Sequence, residues 1–171
     1  IFGQEPAVMD PWKLRSDDGV KINLMDDLIE LPSQGRSIID PTNAKMFMLC
    51  GDPGQGSNSW IPKAVMRLLW PVSVWLAHKQ KQALRLSMFS ELALSNHDDL
   101  LMLLMDIVQD ENTEKGWCSR MTKAWIDEYP EPTDQFRWVM GDFNEKFAKY
   151  FPGTALGEAT SETTFDVRSL K

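Results

Sequence analysis

The residues with most chemical potential lie in the run Cys50-Gly51-Asp52-Pro53-Gly54-Gln55-Gly56-Ser57-Asn58-Ser59, between a short apolar stretch and the start of a helical pattern. Glycines let successive backbone N–H groups converge on an anion, and a following helix N-terminus adds positive potential, with Lys63 and Arg67 in the next two turns. The run lacks the Gly-Lys-Ser/Thr ending of a nucleotide P-loop and the spacing of a dinucleotide fingerprint. A flexible connection from strand to helix is the simpler expectation.

A second constellation is basic. Lys63, Arg67, His78, Lys79, Lys81 and Arg85 are interleaved with Trp60, Trp70 and Trp75. Cations beside aromatic platforms suit a single-stranded nucleic-acid groove, which makes RNA the alternative partner of this chain. Trp70 and Trp75 also sit in an otherwise apolar helical pattern, where core packing accounts for them.

The overall charge of −7 argues against non-specific nucleic-acid binding over the whole surface. The charge is uneven: residues 1–58 carry −4, 59–95 carry +4, 96–134 carry −7 and the remainder 0. The adjacent positive and negative blocks could attract each other, within one chain or between subunits, with no nucleic acid involved.

Catalytic candidates are few. His97 stands before Asp98 and Asp99 at a helix start, where capping explains the cluster. Cys118 lies beside an apolar stripe with no nearby His and no elbow motif, so a Cys-His nucleophile would have to be assembled by the fold. The two histidines and two cysteines are widely separated, and the acidic pairs lack the periodicity of a calcium loop. No catalytic set, cofactor site, metal site or small-molecule substrate is expected. Cys50 and Cys118 are expected as buried free thiols in a reducing compartment.

Seven tryptophans and ten methionines are a heavy load for 171 residues; most must be core, but both residue types favour contact surfaces, and the excess hints at an interface. Trp12, Trp60 and Trp138 are the interface candidates, Trp138 because it lies off the main stripe of its helix, and Phe165 is an anchor in the tail.

These side chains need elements to position them. At 171 residues the chain fits one domain, and 43% hydrophobic with 25% charged residues is an ordinary globular balance. The longest apolar run, Leu100 to Met105, is far short of the roughly 20 residues of a membrane-spanning helix. The opening Ile1-Phe2-Gly3-Gln4-Glu5 lacks the form of a secretory signal, and Ile at the first position suggests a trimmed or processed chain. A soluble protein of the cytoplasm or nucleus is the expectation.

Five prolines and the glycines of residues 1–59 predict an extended arm with short strands, one at Val20 to Leu24 and one at Met46 to Cys50. Residues 60–152 predict about five helices. Ile61 to Ala77 carries a stripe that Pro71 should kink or divide, and Ala83 to Leu94 follows the polar patch at residues 78–82. Asn96 caps His97 to Glu111, apolar nearly all round and so the candidate central helix.

Asn112-Thr113 starts a helix with Trp117, Met121, Trp125 and Tyr129 at four-residue spacing, and Thr133 caps the last one, through Phe151. Their short connection predicts an antiparallel pair. Residues 153–171 read as a polar tail.

The fold class is therefore mainly α, a helical bundle with an N-terminal arm and a C-terminal tail. Helical cores with arms at both ends recur in viral capsid and nucleocapsid subunits, a likeness of architecture rather than of residues. A non-catalytic interaction or assembly protein, binding itself or another protein through arms and exposed aromatics, is the function expected. RNA binding through residues 60–85 is the alternative.

Overall fold

In a computed structural model the protein is described at residues 23–79 and 84–164. Among these residues the chain forms eight α-helices, two 3₁₀ turns and no strand. The helices are α1 (Asp26–Ser33), α2 (Ile39–Cys50), α3 (Trp60–Lys79), α4 (Leu86–Ala93), α5 (His97–Gln109), α6 (Trp117–Glu128), α7 (Asp134–Phe147) and α8 (Ala155–Ala159). Trp12, Lys81, Phe165 and most of the expected first strand lie outside the described residues.

The mainly helical class is found, with more helices than the five expected. The additional ones come from segments read as arm and tail. Met46 to Cys50 is the last turn of α2, because Ile38, Thr42, Met46 and Cys50 recur at four-residue intervals and are all buried. Pro41 does not oppose this helix, since it falls in the first turn where an amide N–H has no intrahelical partner. The Asn23–Leu24 end of the other expected strand leads through a turn into α1. In the tail, Thr154 accepts the Gly157 N–H at 3.0 Å and caps α8.

The central element is α3, which packs against α1, α2, α6 and α7. The expectation that His97 to Glu111 is the central buried helix is corrected: α5 packs mainly against α6, burying only Leu100, Leu104 and Ile107. Pro71 lies inside α3 without dividing it, and two residues on the Ser73 hydroxyl donates to the Leu69 carbonyl at 2.6 Å.

The antiparallel pairing of the last two long helices is also corrected. The main partners of α6 are α3 and α5, while α7 lies on α3 and α4. Trp125 and Phe136 bring the two together near the turn, with ring centroids 6.3 Å apart. The caps are as the sequence implies at Asn96, which accepts the Asp99 N–H at 2.9 Å, and at Thr133, which accepts that of Phe136. Ahead of α6 the cap is instead Gly116, in the left-handed conformation at φ 74°.

The ends of the described chain are tied together. The Asn23 N–H donates to the Thr163 hydroxyl at 2.9 Å, and the Asn23 side-chain amide donates to the Leu84 carbonyl at 2.9 Å. No helix among the described residues is long and apolar enough to cross a membrane.

Candidate interaction surface

Residues 51–59 form the exposed turn that delivers the chain into α3. Gly51 ends α2 at φ 77°, and the Asp52 carboxylate accepts the Gly54 N–H at 2.9 Å. One backbone N–H of the turn is thus already engaged by a neighbouring carboxylate. The turn leads directly into Trp60 at the head of α3.

There Trp60 meets Trp138 of α7, with ring centroids 6.3 Å apart and planes inclined by 58°. Phe136, Val139, Phe143 and Phe147 give α7 its buried face, which turns Trp138 outward and leaves it 57% exposed. A shallow groove of about 420 Å³ lies between the two helices, lined by Asn58, Ile61, Pro62, Arg137, Gly141 and Glu145 beside Trp138. Above Gly141 the space is open, with no atom within 4 Å of where a side chain would begin. Asp142 also lines the groove, its Oδ1 held by Lys146 at 2.6 Å and its Oδ2 buried without a hydrogen-bond partner.

The basic candidates are dispersed and mostly engaged. Arg67 pairs with Glu128 at 2.7 Å, Lys79 with Asp110 at 2.8 Å and His78 with Glu114 at 3.1 Å. All three carboxylates belong to the block 96–134, so the positive and negative segments meet within one chain. Lys63 and Arg85 are exposed and make no ion pair among the described residues. Trp70 donates its indole N–H to the Ile39 carbonyl at 2.8 Å and Trp75 donates to Asp110 at 3.0 Å, so both serve to dock helices.

The corner where α3, α5 and α6 converge is held by two carboxylates. Asp110 accepts from Lys79, Trp75 and the Thr113 hydroxyl and backbone, and the Lys79 ammonium foremost holds its carboxyl well below the usual range. Burial works to raise Glu114, but the Ile38 N–H and His78 outweigh it and bring its pKa down. Glu114 and Lys115 adopt left-handed backbone at φ 48° and 56°, a conformation unfavourable for side chains with a Cβ, and the bonds of Glu114 hold it there.

Burial pushes the Cys50 thiol up to about 11 and the Cys118 thiol up to about 12, so both are protonated and unreactive near neutrality. Both are free and buried. His97 stacks edge-on against Phe136 at 4.9 Å, and its Nδ1 is 3.5 Å from Asp98. It lines a second cleft with Asp99, Glu131 and Pro132. No group of three or more His, Cys, Asp or Glu is placed to hold a metal among the described residues.

Of the sequence candidates, the structure brings together Trp60 and Trp138, and it separates Lys63, Arg67, Lys79 and Arg85 along and beyond α3. The surface that sequence reading missed is the outer side of α5, where Met102 and Met105 are 70% and 46% exposed. The available signal was a helix with apolar residues on more sides than a peripheral position can bury. No family model, curated protein or solved structure matches this chain.

Proposed function

We propose that the protein is a non-catalytic interaction protein whose contact surface is centred on Trp138. The observation that carries this reading is the exposed Trp138 indole resting against Trp60 over an open groove. A large aromatic beside a concavity, surrounded by polar groups such as Arg137, Glu145 and Asn58, has the composition of a binding hot spot. Gly141 strengthens the reading: glycine inside a helix costs about 1 kcal/mol relative to alanine, and its effect here is to leave the groove lined by Trp138 open.

The occupant is another copy of the chain or a second protein. The arms that suggested capsid and nucleocapsid subunits contribute less to this reading, since residues 23–59 and 153–164 carry helices α1, α2 and α8. Sedimentation of the full chain over a wide concentration range, alone and with material co-purified from its native cell, tests the proposal. A complex that Trp138→Ser abolishes with the helical circular dichroism unchanged supports it. Identical sedimentation of wild type and variant under all conditions would contradict it.

The RNA alternative draws on Lys63 and Arg85, because Arg67 and Lys79 are engaged by carboxylates. Binding through them would weaken steeply with salt, as displacement of phosphate counterions requires.

A further inference from the structure

Eight of the thirteen residues of α5 are apolar, yet the helix meets the core along only one stripe, Leu100, Leu103, Leu104 and Ile107. A helix on the outside of a globular domain needs an apolar band on one side only, and apolar residues beyond it raise the free energy of the exposed surface. At about 100° per residue, Met102 and Met105 run down the middle of the outer side. Half-buried Leu101 and Val108 flank them on one edge, and Asp99 and Asp106 on the other. Asp98 heads the row. Residues 96–114 contain no Lys or Arg, and Asp98, Asp99 and Asp106 have no Lys or Arg partner among the described residues.

We infer that the outer face of α5 is a docking surface for a basic amphipathic helix of a second protein. The apolar side of such a helix covers Met102 and Met105, whose flexible, polarisable side chains adapt to varied shapes, while its Lys or Arg residues lie over Asp98, Asp99 and Asp106. The charge of the face selects this occupant. A second copy meeting α5 through a two-fold axis would set these aspartates against like charge or against Leu101 and Val108, with no cation on either face to pair them, and an anionic lipid surface or RNA would be repelled. This surface is separate from the groove at Trp138, so the two inferences stand or fall independently.

The test uses the full chain with ¹³C-labelled methionine methyls, resonances assigned through Met102→Leu and Met105→Leu. Three peptides serve as probes: an 18-residue Leu/Lys amphipathic helix, a peptide of the same composition with its Leu positions scrambled, and a Leu/Glu helix. The Leu/Lys helix is expected to shift the Met102 and Met105 methyls and to bind at least tenfold more tightly than either control. The double variant Asp98→Asn/Asp106→Asn should bind it at least tenfold more weakly with a shallower salt dependence, whereas Trp138→Ser should bind it as wild type does. Unshifted Met102 and Met105 methyls, equal binding of the Leu/Glu helix, an unaffected double variant, or methyl shifts that follow protein concentration without peptide would each overturn the inference.

Discussion

The Lys79 ammonium lies 2.8 Å from Oδ2 of Asp110, joining the last turn of α3 to the end of α5. Asp110 is only 9% exposed at this contact and also accepts the Trp75 indole N–H and the Thr113 hydroxyl. One carboxylate therefore fixes the central helix, the outer helix and the turn into α6. The positive and negative blocks of the sequence find their use here as internal fastenings.

Asp110→Asn should destabilise the fold by about 2 kcal/mol at pH 7, the scale of hydrogen bonds to a charged group. Because folding lowers the pKa of Asp110 below its ordinary 3.8, its stabilisation is fully present above that value and declines as pH falls further. Thermal melts between pH 7 and pH 2 should show wild type losing more stability below pH 4 than Asp110→Asn. Parallel losses in the two proteins would contradict the assignment.

Gly141→Ala should raise stability by about 0.5–1 kcal/mol, since it removes a helix-interior glycine where a methyl group meets nothing. Urea unfolding reads the gain as a higher midpoint at unchanged slope. Gly141→Leu would extend into the groove and should weaken whatever Trp138 binds while the fold persists.

Gly157→Ala should have the opposite effect. A Cβ at Gly157 would clash with the Phe151 carbonyl oxygen, so α8 must move away from the end of the second 3₁₀ turn, Ala148–Tyr150. A cost of about 1–3 kcal/mol is the usual scale of such overpacking. Hydrogen exchange should quicken at residues 154–160 first.

Cys50 and Cys118 should resist a thiol reagent in the native protein at pH 8 and react fully in guanidinium. Their burial keeps both pKa values well above that pH. Rapid native-state reaction of either thiol would show that its surroundings open readily.

The long helices were legible because their spacing and caps agree: Asn96 and Thr133 start α5 and α7 where the sequence places them. The helix α2 was not, since Met46 to Cys50 alone looks like a strand, and its buried stripe includes Thr42, a polar residue that periodicity discounts. With a single buried residue, Gly157, α8 has no apolar period to read. For α5, apolar residues spread over more than one side conceal which of them meets the core.

The candidate site was partly legible. Trp138 lies off the apolar stripe of α7 and is exposed for that reason, but its contact with Trp60 depends on how α3 and α7 cross. Attraction between the charged blocks could be read from composition, whereas the pairing of Arg67 with Glu128 required the fold.

The proposed function requires that Trp138 touch a protein partner. Replacing Trp138 with photoreactive p-benzoylphenylalanine and irradiating the full chain in its native cell tests that contact directly, with Lys123, an exposed residue of α6, as the control position. One discrete crosslinked species, a copy of the chain or a second protein, is expected from position 138 and none from 123. Equal or absent crosslinking at the two positions would contradict it.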